Sequence, residues 1–292
     1  MGADQRIRLA EGTLVLRGTE EAKRDLVQLV EAHAPRSFTG VTQADRAPVF
    51  AKASPLRGAA ARRHALRRLW GQPLPRVREY ENLRWLAEHA FQVPRALAAG
   101  ALWRGGLPRY QALILEEVSG AQELDAALTG KLDGPPNSAG ESPLERADDE
   151  SRRSLARELG GEVGRMHALG FIHRDLFPRN LLVLAPTAER RIVFVDAWRA
   201  APNASLRGPA YDLACLLLEG MDLWSTPEQQ VLLEAYVRAR VDHGRPARRD
   251  LLPAARRHRE ALQARLQREP VRLRGQAPPG SWNEALRWPR QA

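Results

Sequence analysis

The segment His173-Arg174-Asp175-Leu176-Phe177-Pro178-Arg179-Asn180 sets an acid and an amide five residues apart in a short loop. It follows the apolar approach Met166-His167-Ala168-Leu169-Gly170-Phe171-Ile172. Upstream, Ser151 to Leu169 has the length and pattern of a helix, and Gly170 stops it. Downstream, Asn180 to Leu184 and Arg191 to Val195 are short apolar runs that read as a small hairpin. Asp196 ends the second run, sixteen residues after Asn180. Farther back, Lys52 closes the strand-like Val49-Phe50-Ala51-Lys52. It is one of only three lysines, with Lys23 and Lys131, among 45 cationic side chains, so an amine at this place is informative.

The pattern around these residues changes along the chain. Ile7 to Arg17 alternates and reads as a strand or hairpin. Thr19 can cap a helix over Glu20 to His33, with Leu26, Leu29, Val30 and His33 on one face. Ser37 to Gln43 and Pro48 to Ala53 read as strands around a turn at Ala44-Asp45-Arg46. Arg57 to Arg84 is basic, with eight Arg against Glu79 and Glu81, and a helix is predicted from about Val77 to His89. Arg95 to Gly100 and Arg109 to Val118 read as strands. Residues 119 to 150 carry eight acids against Lys131 and Arg146, so a short helix over Glu123 to Leu128 should lead into a mobile acidic insert at about 129–150. From Tyr211 onward the pattern is helical. Strands with one helix, then a linker, then mostly helices predict two lobes, 1–118 and 119–292, with a hinge near Glu116 to Gly120.

The loop matches H-R-D-L-x-x-x-N, the catalytic loop of the protein-kinase-like superfamily. The resemblance implies an α+β fold: a protein-kinase-like two-lobed fold with a small strand-rich N-lobe and a mostly helical C-lobe. It also implies ATP and Mg2+ as cofactors. In such a site Asp175 accepts the hydrogen bond of an acceptor hydroxyl, and Asn180 and Asp196 are the magnesium ligands. Lys52 anchors the phosphates of the nucleotide, and an acid of the next helix orients that lysine. Leu83 lies four residues after Glu79 and Leu86 seven, so Glu79 borders the buried stripe and is the first choice, with Glu81 the alternative. Backbone groups of Glu116 and Val118, after the strand Ala112 to Leu115, would pair with the adenine edge. Asp196 stands where D-F-G would, but Ala197 and Trp198 replace the Phe and Gly. No G-x-G-x-x-G precedes Lys52; Gly12, Gly18 and Gly40 are isolated.

Within the superfamily the chain is similar to the bacterial lipopolysaccharide kinases, which phosphorylate Kdo or heptose of the inner core. Three stretches carry this: Arg62 to Leu86, similar to a basic helix region of that family through Arg78-Glu79-Tyr80-Glu81-Asn82-Leu83-Arg84-Trp85-Leu86; the approach Met166 to His173; and Arg207 to Leu213 ending in Tyr211-Asp212-Leu213. The resemblance runs from about residue 48 to 220. It implies a phosphotransferase with a sugar hydroxyl as acceptor, and lipopolysaccharide core or another small-molecule acceptor as partner. Only fifteen residues separate Asp196 from Asp212, and A-P-E is missing, which leaves little chain for a peptide-docking segment. A kinase of another small-molecule alcohol or of a protein is the alternative; a pseudokinase or a nucleic-acid-binding module is the remaining one.

Composition sets the outer bounds. The 292 residues, 43% hydrophobic and 27% charged, are those of a globular chain. One cysteine, Cys215, excludes a disulfide framework and a multi-cysteine metal site. The net charge is +10, and 42 of 45 cations are Arg. A GC-rich genome accounts for the Arg bias; a basic surface would also attract anions such as membrane headgroups or core phosphates. Apart from Trp282 and Trp288, the basic tail lacks the interleaved aromatics that stack on bases, which argues against nucleic acid. The start MGADQRIRLAEG lacks an apolar signal region, and the longest apolar stretch, near LACLLLEG, is too short to span a bilayer. The chain therefore reads as cytoplasmic, with contact at the inner face of the inner membrane as a peripheral association.

Overall fold

The computed structural model describes residues 4–44, 47–129, 149–184, 191–202, 207–245 and 249–268. The acidic insert expected at about 129–150, the tip of the turn at Asp45-Arg46 and the tail beyond residue 268 lie essentially outside these residues. The chain forms two compact units: Met1–Ser119 with Asp196–Arg199, and Gly120–Val195 with Ala200–Ala292.

The first unit begins with β1 (Gln5–Leu9) and β2 (Gly12–Gly18), followed by α1 (Glu20–His33). Thr19 caps α1 by accepting from the Ala22 amide at 3.3 Å, and Glu20 and Glu21 sit in its first turn, where the helix dipole favours acids. Then come β3 (Phe38–Gln43), β4 (Pro48–Pro55), α2 (Gly58–Leu69), α3 (Pro75–Glu88), β5 (Ala96–Arg104) and β6 (Leu107–Glu116). The six strands make one antiparallel sheet in the order β1-β2-β5-β6-β4-β3. Ala51, Ala53, Tyr110, Ala112 and Ile114 share a core with Leu26, Leu29 and Val30 of α1. Lys52, between two of these alanines, points the other way and reaches α3. The sheet is therefore covered on both faces. That is why β5 and the second half of β6 read as nearly continuous apolar runs instead of alternating ones.

One expectation fails here. The periodicity predicts a helix only from about Val77, yet α2 occupies most of the basic stretch from Arg57 and α3 begins at Pro75. The only buried residue of α2 is Ala61, so its inner face is too small to register as an apolar period.

The second unit holds β7 (Gln122–Glu123), α4 (Leu124–Thr129), α5 (Asp149–Ala168), β8 (Phe171–Ile172), β9 (Leu181–Val183), β10 (Ile192–Phe194), β11 (Ala201–Pro202), α6 (Arg207–Leu223), α7 (Thr226–Asp242) and α8 (Leu251–Arg268). β9 and β10 form the expected hairpin, with β7 on its other side. α7 starts with a capping box, in which Ser225 and Glu228 satisfy each other's amides. Glu228 also accepts from Arg152 of α5 at 2.6 Å, and the same arginine reaches the Leu223 carbonyl at 2.6 Å. α5 and α7 approach so closely that a Cβ on Gly160 would lie 2.1 Å from the Leu232 carbonyl oxygen, and one on Gly164 would lie 2.5 Å from that of Tyr236. Two glycines one turn apart thus set the spacing of the largest helix pair in the unit.

Candidate active site

In the first unit, Lys52 is the centre of a charged cluster. Its Nζ donates to Glu79 Oε1 at 2.7 Å and to Asp196 Oδ1 at 2.8 Å. Glu79 is fully buried, and its other oxygen accepts from Arg76 Nη1 at 2.7 Å. Arg76 Nη1 also stands 4.0 Å from Asp196 Oδ1. Two cations and two carboxylates therefore alternate, so no buried charge is left without an opposite neighbour. Arg76 and Glu79 are three residues apart on α3 and so share a face. Asn82, three residues further, donates from Nδ2 to the Ala197 carbonyl at 2.7 Å and ties the turn after Asp196 to the same helix. Asp196 itself has φ 58°, the left-handed region that a non-glycine residue occupies at a cost of about 1 kcal/mol or more.

Of the two acids weighed for Lys52, Glu81 turns elsewhere and pairs with Arg17. Glu116 ends β6, and its amide donates to the Arg95 carbonyl at 2.9 Å, while its exposed carboxylate takes the Arg95 Nε at 2.9 Å. Val118 follows two residues on and is half-buried.

In the second unit, the loop at 173–180 hangs from one buried carboxylate. Asp212 accepts the His173 amide on Oδ2 at 2.7 Å and the Arg174 amide on Oδ1 at 2.7 Å. Arg174 has φ 62°, so these bonds hold a strained backbone immediately before Asp175. Asp212 also bonds His167 Nε2 at 3.1 Å, and His167 Nδ1 lies 3.0 Å from the Tyr236 hydroxyl. A carboxylate only accepts, so Nε2 carries the proton and Nδ1 accepts from Tyr236. Burial pushes the His167 pKa down despite the opposing pull of Asp212, and pushes Tyr236 up to about 12, so both remain neutral. Arg240 Nη1 donates to the Tyr236 oxygen at 3.4 Å and completes the chain.

Asp175 and Asn180 lie at the end of this scaffold. Asn180 Nδ2 donates to the Asp175 carbonyl at 2.7 Å, which closes the loop and fixes the amide orientation. Its Oδ1 is left as the acceptor. The Asn180 carbonyl takes the Val195 amide at 3.1 Å, and His173 Nε2 donates to the Val195 carbonyl at 3.1 Å. The loop and the strand that leads to Asp196 are thereby bonded at both sides. Arg179 Nη2 stands 3.9 Å from Asp175, with its guanidinium 4.2 Å above the Phe177 ring. Cys215 is buried in α6, and burial raises its thiol well above the ordinary value, so it is core and not a nucleophile.

Sequence reasoning missed Arg76, Asn82 and the full role of His167. The first two lie three residues either side of Glu79, one helical turn away, and that spacing was the available signal. The helical pattern expected from Tyr211 begins earlier, at Arg207, so Asp212 sits five residues inside α6.

Comparison with known proteins places the chain in a family of kinases, phosphotransferases that act on an alcohol group. The family described as "Lipopolysaccharide kinase (Kdo/WaaP) family" matches over residues 57–236, and the chain belongs to it. The solved structure "WaaP in complex with acyl carrier protein" superposes with a TM-score of 0.54 at 22% identity, covering 89% of this chain and 99% of that one; the protein-kinase-like fold is shared. A structure of the microcompartment-associated aminopropanol kinase gives a TM-score of 0.40 at 14% identity over 88% of this chain and 81% of that one. The KEOPS complex subunit Bud32 of Pyrococcus abyssi (strain GE5 / Orsay) is 28% identical over 110 residues, 36% of this chain. The match spans about half of that relative, 48% of its length.

Proposed function

We propose that this chain transfers the γ-phosphoryl group of ATP, with Mg2+, to a Kdo or heptose hydroxyl of the lipopolysaccharide inner core at the inner face of the inner membrane. The observation that carries the reading is Lys52, held between Glu79 and Asp196 by bonds of 2.7 and 2.8 Å. A buried amine set between an orienting acid and a second carboxylate is the arrangement that receives nucleotide phosphates. In this reading the first lobe, 1–118, anchors the nucleotide and the second, 119–292, carries the catalytic loop and receives the acceptor.

The donors suit a hard cation. Asp196 offers a carboxylate whose side chain is 30% exposed, and Asn180 offers an amide oxygen because its nitrogen is already committed to Asp175. These two residues would hold Mg2+. Bound there, it supplies neutralisation of phosphate charge. Lys52 neutralises the α- and β-phosphates, and Glu79 keeps its amine aimed at them. Asp175 accepts the hydrogen bond of the acceptor hydroxyl and takes its proton as the oxygen bonds to phosphorus and ADP leaves. The adenine edge meets the Glu116 carbonyl, since the amide of that residue is already bonded, and the backbone of Val118.

The test is transfer of label from radiolabelled ATP to intact and delipidated core glycolipid, with and without Mg2+, with Asp175→Ala as control. Label on the sugar that vanishes in the variant is the expected result. No transfer to any core acceptor would overturn the acceptor assignment. The fifteen residues between Asp196 and Asp212 favour another small-molecule alcohol as the second reading, and phosphate found only on protein side chains would reverse that preference.

A further inference from the structure

α2 and the residue after it form a surface that nothing in the site uses. Leu66, Leu69 and Trp70 are 55%, 79% and 75% exposed, the last two the most exposed large apolar side chains among the described residues. Leu66 and Leu69 are three apart and so neighbour each other on the helix, and Trp70 extends the strip at the helix end. Arg62 precedes Leu66 by one turn, and Arg63 and Arg67 form the next row along the same outward face. All three are exposed, and none makes an ion pair among the described residues. The opposite face is anchored. Ala61 is buried against Leu56, Leu74 and Ala101, and Arg68 covers the Trp103 ring at 4.5 Å. No acid occurs between Arg57 and Arg78, so nothing local compensates the charge.

We infer that α2 is a docking helix for an anionic phospholipid surface, which Leu66, Leu69 and Trp70 enter while Arg62, Arg63 and Arg67 pair with headgroup phosphates. The argument is charge complementarity joined to exposed apolar area on one helix face. A nucleic acid partner would use the arginines but give no reason for two exposed leucines. A single tryptophan beside leucines and arginines is suited to the headgroup boundary, where its ring is half in apolar surroundings. The inference rests on the reading of a lipid-linked acceptor for its sense, since such a kinase must work at the bilayer. The binding itself needs no acceptor.

The test is co-sedimentation of the full chain with phosphatidylcholine vesicles, with and without phosphatidylglycerol. Wild-type protein should bind the anionic vesicles, and binding should weaken as salt rises. Arg62→Gln/Arg63→Gln/Arg67→Gln should lose on the order of a hundredfold in partitioning, at about fivefold per arginine. Leu66→Ser/Leu69→Ser/Trp70→Ser should lose at least about tenfold. Should a triple variant melt early, Leu69→Ser alone must lower binding in the same direction. Equal binding to neutral vesicles overturns the proposal. So do variants that bind like wild type, or arginines that are taken up by an acidic protein or a nucleic acid while vesicles are ignored. Failure to phosphorylate core sugar with vesicle binding intact would sink the acceptor assignment and leave this surface standing.

Discussion

Replacing Asp212 by Asn removes one charge and one acceptor from the point on which the 173–180 loop hangs. In the native protein Oδ2 serves the His173 amide and His167 Nε2, and Oδ1 serves the Arg174 amide. The single oxygen of Asn is best placed at the Oδ2 position, where it keeps two donors. The amide nitrogen then faces the Arg174 N–H, donor against donor. A charge-assisted bond of about 1.5–3 kcal/mol is lost, and a buried N–H is left unmet at about 1–3 kcal/mol, so the second unit should lose roughly 3–5 kcal/mol. Nothing then offsets the left-handed backbone of Arg174, φ 62°, which costs about 1–2 kcal/mol, and the loop relaxes. Restoring that geometry in each turnover lowers kcat by roughly five- to thirtyfold, at about 1.4 kcal/mol per factor of ten. KM for ATP should hardly move, because the Lys52 cluster is untouched. Urea unfolding followed by circular dichroism and steady-state kinetics read the two effects. If Asp212→Asn stayed within about 1 kcal/mol of wild type with kcat within about twofold, Asp212 would not be what holds the strained loop.

The helix pair α5 and α7 gives a matched comparison. Gly160→Ala places a Cβ 2.1 Å from the Leu232 carbonyl oxygen and should cost about 1–3 kcal/mol or more, whereas Gly161→Ala meets nothing within 4 Å and should gain about 0.5–1 kcal/mol. Urea midpoints that move the same way for both would refute the close approach. His167 makes stability depend on pH. Its folded pKa lies below the ordinary 6.5 because burial disfavours the cation, outweighing Asp212, with Arg240 and His173 acting in the same sense as burial. Below pH 6.5 the unfolded chain takes up a proton that the folded chain refuses, so stability falls as pH drops from there toward the folded pKa and is flat above. Unfolding curves from about pH 5 to 8 should show this slope, and His167→Gln should remove its share of it.

How much of this was legible follows from the kind of signal each part leaves. The loop at His173 to Asn180 was readable as a motif because its residues stand at fixed offsets within one short stretch. Lys52 was readable because the chain is otherwise committed to arginine. The helix at Glu20 declared itself through the Thr19 cap and a wide apolar face. α2 did not, because what it buries is an alanine and what it exposes is leucine and tryptophan, the inverse of the pattern that marks an amphipathic helix. Arg76 was within reach of a local reading, since it lies three residues before its partner Glu79 on the same helix. Asn82 was not: its partner, the Ala197 carbonyl, is chosen by the way α3 meets the turn after Asp196, and no local pattern encodes that meeting. The two-sided burial of the sheet was likewise beyond a local reading, although the unbroken apolar runs in β5 and β6 were its trace.

The rarity of lysine makes this protein unusually easy to address by amine chemistry. Lys23 is 8% exposed and held by Glu20 at 2.7 Å, and Lys52 is 9% exposed within the charged cluster. The other 42 cationic side chains are guanidinium groups, which ignore the acylating reagents that modify amines. On the proposed reading, a nucleotide carrying such a reagent would deliver it to Lys52, with Lys23 and Lys131 the only competing lysines of the chain. One modified peptide of the purified protein would then report whether Lys52 lies beside a bound nucleotide, without an acceptor and without turnover.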